Sequence, residues 1–272
     1  MTPSSAASIR LGAVSYLNSK PLIEDLQTLL PDSHIVLDYP SRLADALSSG
    51  ELDVALIPSV EFFRGRSYQI ISTACVAARG PVMSVKLYCR VHPGQIRSVA
   101  LDEGSRTSAA LARVILAERY GVYPTTEPLP IDSVTSASSA DAVLLIGDRA
   151  MHQPAESFDE VMDLGQMWYD WTGLPFVFAM WVARQDADIS GIAEALDESR
   201  DRGVAAIGRI AEEQAPLLAL DPMTARNYLT HNLNFHLTSA ELSGLELFRQ
   251  LAQQQNLLLP EPAVQVTDTA LA

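Results

Sequence analysis

Lysine is nearly missing from this chain: Lys20 and Lys86 are the only two among 19 basic residues, set against 33 acidic ones. A nucleic-acid-binding face needs clustered Lys and Arg to neutralise phosphates, so that class is excluded. The formal charge of −14 also argues against docking on an anionic membrane surface. Cysteine is equally scarce. Cys75 and Cys89 form no CxxC pair and are too few for a disulfide framework, so both are expected as buried thiols. The five histidines make no HExxH pattern, and no GxSxG elbow, GxGxxG turn or phosphate-loop ending is present. No metal and no cofactor are expected. No run approaches the roughly 18 apolar residues of a membrane span. Residues 1–10 lack the basic start and apolar core of a secretory leader, so a cytoplasmic protein is expected.

What is present is enough apolar content, 48%, to bury a core over a length of one large or two modest domains. The acidity is uneven. Residues 1–90 are neutral, whereas 91–182 and 183–272 each carry −7, mostly on predicted helices with solvated faces. A net charge of −14 would repel an anionic small molecule unless charge is arranged locally, and the neutral first part leaves room for that.

Short apolar runs alternate with helical patterns, the mark of a parallel α/β sheet. Strands are predicted at 9–15, 35–39, 52–57, 69–76 and 82–91, with helices at 21–30, 41–49 and 59–64. The pattern then restarts. Strands are predicted at 98–101, 126–129, 142–146 and 176–183, with a long helix at 107–120 closed by Gly121 and a short one at 148–152. From Ile189 to Gln255 the chain reads as helical, and the tail after Pro260 has little to hold it. The expected architecture is two-lobed, each lobe a mostly parallel sheet flanked by helices with a ligand cleft between. Lobe 1 takes 1–90 plus 183–272 and lobe 2 takes 91–182, and the β-rich runs near 85–91 and 177–183 serve as crossovers. No internal repeat is evident.

Ligands of such sheets sit at the carboxyl ends of strands, which singles out four turns. In 14–21, Asn18 and Ser19 are both good helix caps, with Lys20 beside them. In 56–61, Ser59 can cap a short helix or offer its hydroxyl to an anion, while Glu61 is either a base or a complement to the helix dipole. In 101–108 a strand ends, Gly104 permits a tight turn, and Ser105, Arg106, Thr107 and Ser108 crowd a helix start. Unpaired N–H groups there suit a carboxylate or phosphate. In 145–149, Asp148 caps a short helix or orients a ligand. A further run, 80–86, places Ser84 and Lys86 two apart, hence on one face if it is a strand, both pointing into a cleft. The aromatic run 167–176 reads as packing.

The runs VSYLNSKPL (14–22), LDVALIPSVEFFR (52–64), ACVAARGPVMSVKLYCR (74–90), LDEGSRTSAALARVIL (101–116), ADAVLLIGDRAM (140–151) and WTGLPFVFAMWVAR (171–184) resemble the chorismate dehydratases of the futalosine route to menaquinone. Together they cover both α/β units almost end to end. The resemblance implies a fold like that of type II periplasmic-binding proteins and a small dicarboxylate substrate, chorismate. The implied reaction removes water to give 3-[(1-carboxyvinyl)oxy]benzoate. It also implies that Asn18 and Ser84 stand nearest the chemistry, while Ser59, Ser105, Arg106, Thr107 and Ser108 hold carboxylates. Ser19, Lys86 and Asp148 complete the expected binding set. A non-catalytic solute-binding protein and the related 1,4-dihydroxy-6-naphthoate synthase share the architecture and remain alternatives. The matching turns offer amides and hydroxyls but no histidine. The expected base is therefore the substrate's own enolpyruvyl carboxylate, with Glu61 or Asp148 as rivals.

Overall fold

The computed structural model describes residues 8–65 and 67–258. The tail after Pro260 and most of the N-terminal ten residues lie outside them. The chain opens with β1 (Arg10–Val14), a 3-10 helix (Leu17–Ile23), α1 (Leu26–Leu29), β2 (His34–Asp38) and α2 (Pro40–Ser49). Next come β3 (Val54–Pro58), α3 (Ser59–Arg64) and the long β4 (Tyr68–Ala78). The middle of the chain holds β5 (Val85–Cys89), β6 (Ser98–Asp102), α4 (Arg106–Tyr120), β7 (Thr125–Leu129), β8 (Ala142–Ile146), β9 (Glu160–Asp163) and α5 (Leu164–Thr172). After β10 (Phe176–Arg184) follow α6 (Ile192–Ala205), α7 (Ile207–Gln214), α8 (Pro222–Asn227), β11 (Asn234–His236) and α9 (Ser239–Gln254).

Among the described residues the strands form two sheets, ordered β11-β4-β10-β3-β1-β2 and β7-β6-β8-β5-β9. The expectation of mostly parallel sheets needs correction. Parallel pairing is confined to β1 with β2 and β3, and to β6 with β7 and β8; every other pairing is antiparallel. The cause is geometric. The strands β1, β3, β6 and β8 end at the space between the sheets, whereas β5 and β10 begin there and so run the other way. Because β5 belongs to the second sheet and β10 to the first, the chain passes between sheets at 79–84 and 164–175. The boundaries expected at 90 and 182 are therefore too late, since the runs read as crossovers are inner strands of the sheets. Both β3 and β8 are buried along their whole length, as inner strands covered on both faces should be.

The first turn also departs from the pattern. The helix expected at 21–30 is split, because Asp25 takes a left-handed φ of 55° between the 3-10 helix and α1. Tyr16, not Asn18 or Ser19, holds the cap position, and the Ser19 hydroxyl bonds back to the carbonyls of Val14 and Tyr16. Gly50 and Gly121 end α2 and α4 as expected. Cys75 and Cys89 are buried free thiols, and no helix among the described residues is long and apolar enough to cross a membrane.

The helical last third packs mainly on the first sheet. α6 lies across the 3-10 helix and β4, while α9 runs against β10 and reaches α4. Phe248 of α9 meets Phe176 at 4.9 Å between ring centroids and Trp168 at 6.2 Å, both edge to face. The aromatic run is thus packing, with Trp168 fully buried and its indole N–H donated to the Pro175 carbonyl at 3.2 Å. α6 approaches the 3-10 helix so closely that a Cβ on Gly203 would lie 1.9 Å from the Pro21 carbonyl oxygen. Gly203→Ala should therefore destabilise the protein by about 2–3 kcal/mol, as overpacking against backbone does. Gly208→Ala, where a Cβ meets nothing within 4 Å, should be neutral or slightly stabilising. Urea unfolding of the two variants checks the contrast.

Candidate active site

The strand ends of both sheets converge on one small cavity. The first lobe contributes Val14, Tyr16 and Asn18 from the turn after β1, and Phe178 and Ala179 from β10. The passage after β4 contributes Val82 and Ser84, and the second lobe adds Ser105, Ser108, Ile146 and Gly147. The space is about 40 Å³, well below the roughly 150 Å³ of an engineered cavity that admits benzene. The lobes are closed on each other around it. Leu17 N–H donates to the Asp148 carboxylate at 3.0 Å, Ser41 N–H to the Gly104 carbonyl at 3.1 Å, and Val60 N–H to Thr107 Oγ1 at 3.0 Å. A six-membered ring enters only when such contacts part.

The polar lining is neutral: among the described residues, no charged side chain lines the cavity. Asn18 Oδ1 is buried without a hydrogen-bond partner, a costly state in a closed protein and the natural one for an acceptor awaiting a ligand. Opposite it, Ser105 caps α4 by accepting from Ser108 N–H, and the two hydroxyls lie 3.1 Å apart. The start of this 15-residue helix supplies positive potential to the cavity wall without a cation. Ser84 sits just before β5 in a turn where Met83 has φ 67°. Asp163 anchors that turn by accepting from Val82 N–H at 2.9 Å and Met83 N–H at 2.6 Å.

Beneath the lining, Asp102 at the end of β6 accepts from Gly104 N–H at 2.9 Å and Ile146 N–H at 3.1 Å, and pairs with Arg149. Burial pushes its pKa up, while the Arg149 charge and these donors oppose the shift. Tyr16 packs its ring on the turn at Gly147, whose φ is 71°; a Cβ there would lie 2.6 Å from the ring. Two features thus make Gly147 obligatory: left-handed backbone and an aromatic face in contact.

Asn18, Ser84, Ser105 and Ser108 of the expected site residues line the cavity. The others do not. Ser19 is used by its own turn, and Ser59 donates to the Val177 carbonyl at 2.7 Å. Thr107 faces Val60 and Ser59 across the lobe contact. Arg106 turns outward to Asp45, with bonds of 2.8 and 2.9 Å, and lies 3.5 Å from Glu61. A place at a helix start points toward the cleft, but the first residue of α4 projects to the flank. Lys86 lies on the far face with Tyr88 and His152, because alternation starts at Val85 and Ser84 stands outside the strand. Burial lowers its pKa. Tyr16 and Tyr228 escaped the sequence reading. The first lies among the polar residues of the turn after β1, and the second lies 144 residues from Ser84, to which its hydroxyl donates at 2.8 Å.

The two rival bases differ. Glu61 is held by Arg64 at 2.7 Å and faces the outer flank with Arg106. Asp148 sits next to Gly147 at the rim, and burial raises its pKa to about 6 against the pull of Leu17 N–H, Lys20 and His152.

A family model described as menaquinone biosynthesis matches residues 9–254. The chain belongs to that family. A chorismate dehydratase from Thermus thermophilus is 31% identical over 258 residues, spanning 88% of this chain and 93% of that protein. Another from Campylobacter jejuni is 25% identical over 252 residues, spanning 90% of this chain and 98% of its own. A solved Candida albicans protein with the generic periplasmic-binding-protein fold superposes with a TM-score of 0.61 at 11% identity, covering 91% of this chain and 90% of that one. At that identity the likeness concerns the fold, and it is the two-lobed fold expected for the family.

Asp148 gives a sign that can be measured. Its pKa is about 6 when folded and about 4 when unfolded, so the folded state binds the proton more tightly. The stabilisation is full below about pH 4 and is lost as pH rises through about 6. Asp148→Asn keeps a neutral acceptor for Leu17 N–H. From pH 4 to pH 7 the variant should therefore gain about 2 kcal/mol on the parent in urea unfolding. A constant difference across that range would contradict the assignment.

Proposed function

We propose that the protein is a chorismate dehydratase, a carbon–oxygen lyase that converts chorismate to 3-[(1-carboxyvinyl)oxy]benzoate and water. The observation that carries this reading is the closed, uncharged cleft, in which Asn18 and Ser84 face the start of α4. The relatives named chorismate dehydratase support it, as does the family's role in menaquinone biosynthesis. A cytoplasmic location goes with this biosynthetic reading.

Chorismate brings two carboxylates and a hydroxyl that must leave. In this reading the ring carboxylate rests on Ser105, Ser108 and the helix start. The enolpyruvyl carboxylate is left without a cationic partner. A salt bridge would lower its pKa and spoil it as a base, so neutral walls favour its use. It takes the ring C3 proton, the C4–O bond breaks, and the same proton leaves with the hydroxide as water. Aromatisation supplies much of the driving force. Asn18 and Ser84 hydrogen-bond the charge that develops, which typically contributes 10²–10³ in rate per donor. Closure of the lobes holds the substrate in the reacting conformer and excludes bulk water.

Mixing the protein with chorismate and following the ultraviolet spectrum tests the reading, since a diene becomes a benzoate. Asn18→Ala and Ser84→Ala should each lower kcat by about 10² or more. Glu61→Gln and Asp148→Asn should stay within about tenfold, as neither is the base in this scheme. A loss of several orders in Asp148→Asn with unchanged binding would transfer the proton to that carboxylate. Saturable chorismate binding with an unchanged spectrum would reduce the protein to a binding protein.

A further inference from the structure

Tyr228 is the first residue of a π-helical turn, Tyr228–Asn232, that continues α8 in the helical last third. Such turns recur at functional sites, but here the contacts make the case. Tyr228 is fully buried and lines no part of the cavity, so it lies behind the wall and not in it. Its hydroxyl donates to Ser84 Oγ at 2.8 Å. A second bond fixes the turn against the passage between the lobes, from Asn232 Nδ2 to the Pro81 carbonyl at 2.8 Å.

One phenol in the helical last third therefore backs Ser84 of the passage, a residue placed nearest the chemistry. Direction follows from donor counting. The phenol spends its one proton on Ser84, so Ser84 accepts from behind and its own proton is free for the cavity. Burial pushes the Tyr228 pKa up, which keeps it a donor at every working pH.

We infer that Tyr228 is a positioning residue, which orients the Ser84 hydroxyl as a donor toward the substrate. The inference rests on the dehydratase reading. It concerns turnover and not binding, because Tyr228 touches no ligand.

Tyr228→Phe in the full chain keeps the ring and removes only the hydroxyl. We expect kcat for chorismate to fall about 10–100-fold with KM within about threefold and a thermal midpoint within a few degrees of the parent. Placed in a Ser84→Ala background, the same change should alter kcat by less than about twofold, since its route of action is gone. An unchanged kcat in Tyr228→Phe beside an active parent overturns the inference alone. So does an equal loss in both backgrounds, which marks a merely structural role. A parent that does not turn chorismate over fails the dehydratase reading, and the inference falls with it.

Discussion

Asp102 is taken out of water at the end of β6, where burial on its own drives a carboxylate toward the neutral acid. Arg149 and the N–H groups of Gly104 and Ile146 offset that cost. Each partner belongs to a different part of the second lobe's cleft wall. Gly104 leads into the cap of α4, Ile146 ends β8, and Arg149 follows the turn at Gly147 and Asp148. One buried carboxylate thus sets the distance between a helix start and the rim that meets Tyr16 and Leu17. Removing it would leave a half-buried Arg149 without its carboxylate, beside two amides without their acceptor.

Charge is handled by distance. The surface of the last two thirds is strongly acidic, while the cleft is lined by amides, hydroxyls and apolar groups. The arginines at the lobe contact are committed to carboxylates, as Arg106 is to Asp45. What meets an anionic substrate is then the field of α4 and hydrogen-bond donors, at short range and out of solvent. Over more than about 8 Å in cellular salt the acidic exterior is largely screened. An overall charge of −14 is compatible with a doubly anionic ligand for that reason.

Much of this was legible in the chain. The inner strands, the long α4 with its glycine stop, and the turns at 14–21, 101–108 and 145–149 all follow from local rules, and each of these turns reaches the cleft or its rim. Ser84 also reaches it, but by a bent backbone that period-two alternation does not anticipate, and the same bend sends Lys86 to the far face. Sheet membership of β5 and β10 was hidden because a buried strand reads alike whichever sheet it joins. Tyr228 was hidden for a plainer reason. A lone tyrosine in a polar helical stretch carries no local sign of a partner 144 residues away. Five strands of the first sheet, β2-β1-β3-β10-β4, repeat the order of the second although the sequence shows no repeat, since topology constrains only the pattern of apolar runs.

The place of β10 between β3 and β4 has a consequence for synthesis. All five strands of the second sheet lie within residues 85–163, so that sheet can assemble as soon as this stretch leaves the ribosome. The first sheet cannot. Until residues 176–184 emerge, β2-β1-β3 and β4 are separate pieces with open edges facing each other across a missing strand. The lobe that begins the chain is therefore the lobe that finishes last. Its exposed edges must wait through the translation of its neighbour, the interval in which unpaired strands are most prone to pair wrongly.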